Sequence, residues 1–182
     1  MVQQGLFLVT GLPATGKSTL ARALARTLGM PLLAKDAIKE PLLEILGAAD
    51  PAASRRLSDA SFAALFSLAD VQLTAVGAVV LEGNFRAGEH EPLLRALLAR
   101  HAVPCTQVLC RVPEPLRQAR LKARAADPGR HPGHQDAVWV AAVTQPDGFL
   151  DLEGPRHFHD GAVVETVPGS ALIRSLANRQ LV

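Results

Sequence analysis

The feature that most constrains this chain is a glycine-rich segment that joins an apolar run to a helical pattern. Residues 6–10 form a short apolar run, which predicts a strand buried on both faces. Residues 11–18 follow, with glycine at 11 and 16, lysine at 17 and serine at 18. From Lys17 to Leu28 the apolar residues recur with helical spacing, and Gly29 ends the pattern. This order of strand, loop and helix predicts backbone N–H groups that wrap a phosphate at a helix N-terminus.

The rest of the chain alternates apolar runs with helical patterns. Further strands are predicted at 31–34, 78–81, 106–112 and 162–167, and further helices at 36–46, 51–76, 91–99, 114–126 and 170–178. Residues 143–160 show no period and are predicted to be a loop. The pattern favours an α/β fold with a five-stranded, mostly parallel sheet and helices on both faces. A length of 182 residues suits one domain, 1–182.

Composition narrows the class of protein. The 19 Lys and Arg against 17 Asp and Glu leave a formal charge of +2, which argues against a surface for long nucleic acid. No apolar run has the roughly 20 residues of a membrane span. The first residues lack the basic start of a signal peptide. We therefore expect a cytoplasmic protein without a membrane partner, as a monomer or a homodimer.

Residues 11–18 match G-x-x-x-x-G-K-[ST] at every fixed position. In such loops the lysine reaches the β- and γ-phosphates, and the hydroxyl after it contacts Mg²⁺. The motif therefore predicts ATP and Mg²⁺ as cofactors, with Ser18 at the metal. The predicted nucleotide-binding residues are Gly11, Pro13, Ala14, Thr15, Gly16, Lys17, Ser18 and Thr19, joined by Arg120.

Several segments together resemble a known family. The run Gly-Leu-Pro-Ala-Thr-Gly-Lys-Ser-Thr-Leu-Ala at 11–21 is followed by Lys-Asp-Ala-Ile-Lys-Glu at 35–40, Glu-Gly-Asn-Phe at 82–85 and Arg-His-Pro-Gly-His at 130–134. This combination resembles small bacterial P-loop kinases that are often labelled AAA-type ATPases, similar to chloramphenicol phosphotransferase, zeta-toxin and polynucleotide kinases. The resemblance spans about residues 5–178 and implies a three-layer P-loop NTPase fold.

Two carboxylates follow predicted strands at the sheet edge where ligands of parallel α/β proteins bind. Asp36 is predicted to be the catalytic base that activates an acceptor hydroxyl, as the resemblance implies; an ordinary helix N-cap is the alternative. Glu82 is predicted to hold Mg²⁺, through a water because its side chain is long. Glu82 also stays a rival for the base, or a solvated carboxylate at a strand end.

Polar side chains near these carboxylates are candidates for binding the acceptor. Asn84 and Arg86 follow Glu82, and an arginine fork suits a carboxylate or phosphate. Lys35 and Lys39 are weaker candidates, and Lys39 could equally pair with a neighbour on its own helix. For Arg86 a plain surface position is the alternative.

Arginines recur on the predicted helix 114–126. Arg117, Arg120 and Arg124 are spaced to share one face, where like charges repel unless an anion lies between them. Arg120 and Arg124 are predicted to stabilise the transferring phosphoryl group from a mobile, arginine-rich lid at about 114–136. The role of Arg117 stays open, and a solvated basic helix is the alternative.

Two further signals point away from a zinc site and from redox chemistry. His131 and His134 have no third ligand at zinc spacing, so a lid or acceptor contact is preferred. Cys105 and Cys110 are predicted on opposite faces of one strand, as inert thiols.

The sequence and the resemblance together predict a kinase that transfers the γ-phosphoryl group of ATP to a hydroxyl of a small molecule. The alternatives are an ATP-hydrolysing switch protein, or a kinase acting on a polynucleotide 5′-hydroxyl or a nucleotide sugar.

Overall fold

The computed structural model describes residues 4–129, 131, 148–163 and 170–178. Its strands are β1 (Gly5–Thr10), β2 (Leu32–Ala34), β3 (Ala78–Glu82), β4 (Cys105–Arg111) and β5 (Arg156–Asp160). Its helices are α1 (Lys17–Leu28), α2 (Lys35–Leu46), α3 (Pro51–Val76), α4 (Glu91–His101), α5 (Glu114–Ala125) and α6 (Ser170–Asn178). Most bounds fall within two residues of the sequence prediction, because glycine and proline mark the element ends.

The five strands form one sheet in the order β2-β3-β1-β4-β5. Every neighbouring pair is parallel, so the predicted parallel sheet is confirmed. The register places Val9 of β1 opposite Glu82 of β3, and Ala34 of β2 opposite the same Glu82. The carboxyl ends of β1, β2 and β3 therefore meet at one edge of the sheet, directly before the segments that carry the predicted site.

Helices cover both faces of the sheet, which gives the predicted three layers. Leu6 and Leu8 of β1 pack in one apolar cluster with α3 and α4, whereas Phe7 and Val9 pack in the other with α1 and α6. Successive strand residues point to opposite faces, which explains why the whole run is apolar. Cys105 and Cys110 are likewise buried in opposite clusters, as predicted.

The long helix α3 begins where the sequence predicts. Asp50 is its N-cap and accepts a hydrogen bond from the backbone N–H of Ala53 at 2.6 Å, with Pro51 in the first turn. By length and composition α3 could cross a membrane. Length and composition are weak evidence for a membrane span, because the core helix of a soluble protein passes the same test. In this structure α3 packs Leu65, Ala69 and other apolar residues against the sheet.

The last strand differs from the prediction. β5 covers Arg156–Asp160, inside the segment predicted to be a loop, and pairs in parallel with β4. Residues 161–163 follow it as a turn, and residues 164–169 lie outside the described residues. The sequence Arg-His-Phe-His-Asp has no apolar run because an edge strand of partly exposed residues does not need one.

Only part of the predicted lid is described. Helix α5 and residues 126–129 and 131 are included, whereas Arg130, His134 and the rest of 132–147 lie outside the described residues. Within the described part, Nε2 of His131 lies 3.5 Å from Oε1 of Glu44 on α2.

Candidate active site

The loop of residues 11–16 connects β1 to α1 in a tightly curled path. Gly11 and Gly16 have φ angles of 141° and 93°, and Ala14 has a φ of 68°. A Cβ on Gly11 would collide with the carbonyl oxygen of Cys110. The hydroxyl of Thr15 and Nζ of Lys17 both donate to the carbonyl oxygen of Leu12, at 2.8 and 3.0 Å. Such curling points backbone N–H groups at a common centre, which is how phosphate-binding loops hold an anion.

A second segment braces this loop from outside. Gly161 follows β5, and a Cβ there would collide with the carbonyl oxygen of Thr15. Its own backbone N–H donates to the carbonyl oxygen of Arg111 at 2.8 Å. The turn after β5 is thus pressed against the phosphate loop by backbone contact, and only a glycine fits at this position.

Glu82 and Ser18 meet beside the loop. The Ser18 hydroxyl donates to the Glu82 carboxylate, which is 4% exposed. Burial raises the pKa of Glu82, the charge of Asp36 adds to that rise, and Lys17 and Arg22 oppose it. A hydroxyl and a carboxylate are the oxygen donors that Mg²⁺ uses in nucleotide sites, where phosphates and waters complete its shell. The donor set therefore fits Mg²⁺. Among the described residues, no three His, Cys, Asp or Glu side chains form a group that could hold a metal.

Asp36 lies in the first turn of α2, close enough to Glu82 for their charges to interact. It is not the N-cap, which corrects the alternative considered from the sequence: Ala34 occupies the cap and α2 begins at Lys35. Lys35 is buried, and its Nζ lies 3.1 Å from Oδ1 of Asp36, whose side chain is 48% exposed. An ammonium group at this distance stabilises the charged carboxylate. Because the Asp36 side chain is partly exposed, its carboxylate stays accessible to a substrate.

The arginines of α5 divide into two kinds. Arg120 reaches over the loop and donates to the carbonyl oxygens of Ala14 at 3.5 Å and Gly161 at 2.8 Å. Arg117 is 1% exposed and donates twice to Glu114, both at 2.7 Å. The structure thus places Arg120 at the phosphate loop, while the buried Arg117 forms an ion pair with the exposed Glu114 of its own helix. Arg124 is half-buried one turn beyond Arg120.

The segment after β3 carries the predicted acceptor residues Asn84 and Arg86, and also His90, which the sequence analysis missed. Asn84 is half-buried, and Nη1 of Arg86 lies 3.0 Å from Oε2 of Glu89. The backbone N–H of Arg86 donates to Nδ1 of His90 at 2.9 Å, and the His90 ring lies 4.0 Å from that of Phe62 between centroids. Burial lowers the pKa of His90. Nε of Arg86 is buried and has no hydrogen-bond partner among the residues that the structure describes.

These residues continue into a surface that we call the polar wall. Nζ of Lys39 donates to the Ser54 hydroxyl at 3.1 Å, so Lys39 joins α2 to α3 instead of pairing on its own helix. Arg55 lies 3.3 Å from Asp59 and 3.5 Å from Glu89. The polar wall consists of Lys35, Asp36, Lys39, Ser54, Arg55, Asp59, Arg86, Glu89 and His90. The sequence analysis named Lys35, Asp36, Lys39 and Arg86 as candidates, but it gave no signal for the other members of the wall.

A separate cleft lies between the ends of β4 and β5. Its volume is about 290 Å³, and its lining is Arg111, Val112, Pro113, Phe158, His159 and Asp160. The Arg111 guanidinium lies 4.9 Å from the centroid of the exposed Phe158 ring. The cleft adjoins the turn at Gly161 that presses on the phosphate loop. It therefore provides a partly aromatic surface beside the phosphate-binding centre.

Solved structures of other proteins share this fold. A "putative kinase" from Chloroflexus aurantiacus is 32% identical, with a TM-score of 0.83 over 96% of this chain and 97% of that one. The APS kinase CysC of Mycobacterium tuberculosis, solved with AMPPNP and APS, is 18% identical, with a TM-score of 0.58 and 98% of each chain covered. A gluconokinase from Sinorhizobium meliloti is 16% identical, with a TM-score of 0.53 and 98% of each chain covered. The last two likenesses show the fold alone.

Among proteins of curated function, none matches this sequence. The model of one protein family, described as an AAA domain, matches residues 6–145. That span contains the phosphate loop, Asp36, Glu82 and Arg120. Its extent, together with the 32% identity to the Chloroflexus protein, confirms the resemblance inferred from the motifs. The chain therefore belongs to this AAA domain family, a family of nucleotide-binding P-loop kinases.

Proposed function

We propose that this protein transfers the γ-phosphoryl group of ATP to a hydroxyl group of a small-molecule acceptor. The observation that carries the proposal is the convergence of Ser18, Glu82 and Asp36 at the edge of the sheet beside the phosphate loop. A loop for phosphates, a hydroxyl–carboxylate pair for Mg²⁺ and an exposed carboxylate for an incoming hydroxyl are the parts that phosphoryl transfer requires.

On the nucleotide side, backbone N–H groups of residues 11–16 and Nζ of Lys17 would hold the β- and γ-phosphates. Lys17 would exchange its bond to the Leu12 carbonyl for a phosphate oxygen. The adenine ring of ATP would lie in the cleft between β4 and β5, where Phe158 offers a stacking surface. Ser18 directly and Glu82 through a water would hold Mg²⁺, which would supply positive charge to neutralise the phosphates.

On the acceptor side, Asp36 would accept the hydroxyl proton as the oxygen attacks the γ-phosphorus. Lys35 orients the carboxylate, and Asn84 and Arg86 lie on the neighbouring segment for the acceptor's other polar groups. Glu82 is the weaker candidate for the base because its carboxylate is buried and accepts from Ser18. Arg120, with Arg124 on the same helix, would stabilise charge on the γ-phosphoryl oxygens from the opposite side of the loop.

The test is a screen of hydroxyl compounds for ATP-dependent phosphorylation, with ADP release and product mass as readouts. Asp36→Asn should reduce kcat by about 10²- to 10⁴-fold, because it removes the proton acceptor. The dissociation constant for ATP should stay unchanged. Arg26→Gln, an exposed change on α1, is the matched control.

Three outcomes would contradict the proposal or part of it. Basal ATP hydrolysis that no compound accelerates would favour a switch protein. Full turnover in Asp36→Asn would remove Asp36 from the role of base and leave Glu82 as the candidate. Phosphorylation of an oligonucleotide 5′-hydroxyl or a nucleotide sugar in the same screen would favour those kinase classes instead.

A further inference from the structure

The polar wall has an uneven balance of charge. Each of its carboxylates already has a cation close by: Asp36 has Lys35 at 3.1 Å, and Asp59 has Arg55 at 3.3 Å. For Glu89 the nearest cation is Arg86, at 3.0 Å. Lys39 is different, because within the described contacts its ammonium group bonds to a neutral hydroxyl. The wall therefore contains a positive charge beyond those that its own carboxylates balance.

The surroundings of Lys39 make that charge costly. Its side chain is half-buried between α2 and α3, and Ser54 beneath it is buried. Desolvation lowers the pKa of Lys39, and repulsion from Lys35 lowers it further, against the opposing pull of Asp36 and Asp59. A negative group bound here would offset both effects, because its attraction favours the charged ammonium group. Ser54 would assist, since a hydroxyl that accepts from an ammonium keeps its own hydrogen to donate.

Arg86 adds an independent indication at the same wall. Its Nη1 pairs with Glu89, while its Nε is buried and lacks a hydrogen-bond partner among the described residues. A buried donor without a partner is unfavourable unless a ligand supplies the acceptor. Lys39 lies on α2 and Arg86 on the segment after β3, and both of these elements contact Phe62. The Lys35 ammonium, one turn before Lys39, lies 5.9 Å from the centroid of the Phe62 ring. The His90 ring, on the segment after β3, lies 4.0 Å from the Phe62 ring between centroids.

We propose that the polar wall binds an anionic group of the acceptor, a carboxylate or a phosphate, through Lys39 and Ser54 with Arg86 beside them. This inference rests on the proposed function. Asp36 and Lys39 are three residues apart on α2, so their side chains share one helix face about one turn apart. A small molecule can thus place its hydroxyl at Asp36 and its negative group at Lys39. The preferred acceptors are hydroxy acids or phosphorylated alcohols, and their neutral counterparts are poor substrates.

The kinetic arm of the test uses sets of related hydroxyl compounds whose members are neutral, carry a carboxylate or carry a phosphate. Glycerol, glycerate and glycerol 3-phosphate form one set, and glucose, gluconate and glucose 6-phosphate form another. The anionic members should be preferred in kcat/KM, and the comparison between carboxylate and phosphate identifies which anion the wall takes. Lys39→Met should raise KM for the preferred anion about 10- to 100-fold while kcat changes little, because a charge-assisted contact is lost.

Matched variants separate binding from folding. Lys39→Arg keeps the charge and should restore much of the affinity, whereas Ser54→Ala should raise KM by a smaller factor. Arg56→Gln removes one charge from an exposed position on α3 and should leave KM unchanged. A KM for Lys39→Met equal to that of the wild type, or equal preference for neutral probes, overturns the inference.

The binding arm does not require turnover. Calorimetry of the AMPPNP-loaded protein measures association of glycerate, glycerol 3-phosphate, gluconate and glucose 6-phosphate while the phosphate loop is occupied. Binding that Lys39→Met weakens supports the anion site even if no transfer occurs, in which case only the proposed function fails. Absence of binding by every anionic probe at millimolar concentration overturns the anion site, whether or not kinase activity is found.

Discussion

The phosphate loop and the polar wall, which includes Asp36, are built in different ways. The loop is one continuous segment, and it acts through backbone N–H groups and positive φ angles at Gly11, Ala14 and Gly16. The wall is assembled from α2, α3 and the segment after β3, and it acts through side chains whose partners are distant in sequence, as Lys39 and Ser54 are.

This difference determines how freely the residue types of each region can change. A backbone cradle depends on a few conformations, so its residue types are nearly fixed and a short motif identifies it. A wall of side chains can change its charge and shape by substitutions that leave the fold intact. In the proposed function, the nucleotide side is the common part of such kinases, and the wall would determine acceptor specificity. Three further variants test this division, in order of decreasing effect.

The strongest test of the nucleotide side is Arg120→Ala. Arg120 donates to the loop at Ala14 and to Gly161, from where it can swing to the γ-phosphoryl oxygens. We expect kcat to fall about 10³-fold, as when a transition-state arginine is removed. The acceptor KM should hold steady. Steady-state kinetics measure both, with Lys122→Ala on the exposed face of α5 as control. A rise in acceptor KM with kcat preserved would mean that Arg120 belongs to the wall.

Gly161→Ala tests whether the loop is held rigid from outside. The added methyl group would collide with the Thr15 carbonyl oxygen, so either the loop or the turn must move. Overpacking of this kind should weaken ATP binding about 10- to 100-fold by calorimetry. Gly148→Ala is the control, because its Cβ meets nothing within 4 Å. Unchanged ATP affinity in Gly161→Ala would show that the turn does not constrain the loop.

The smallest effect is expected at Glu114, which serves neither side. Hydrogen bonds from Arg117 and Gln118 lower the pKa of Glu114 from 4.5 to about 2. A lowered carboxyl pKa stabilises the fold above pH 4.5, and that contribution is lost as the pH falls toward 2. Glu114→Gln should therefore lower the free energy of unfolding by about 1 kcal/mol at pH 7, discounted for the exposure of Glu114.

Urea unfolding at pH 7 and pH 3 measures this effect, and exposed Glu153→Gln is the control. The gap between Glu114→Gln and the wild type should narrow at pH 3, where the wild-type carboxylate begins to protonate. ATP affinity and acceptor KM should be unaffected. A loss of ATP affinity in Glu114→Gln would place the Glu114–Arg117 pair in the nucleotide site after all.

The sequence alone determined the sheet, the phosphate loop and the order of the elements up to α5, because these depend on local patterns: apolar runs, helical spacing, glycine and proline. It also brought Ser18, Asp36 and Glu82 to one edge, since parallel strands end together. It missed β5, whose edge position needs no apolar run.

Only the tertiary structure decided the rest. Three arginines with the same helical spacing looked alike in sequence, yet one is buried against Glu114 while another crosses the loop to Gly161. Likewise, nothing local links Lys39 to Ser54 or His90 to Phe62. Partner choice among charged side chains depends on which elements pack together, and the packing of α2 on α3 is a long-range outcome that no window of sequence contains.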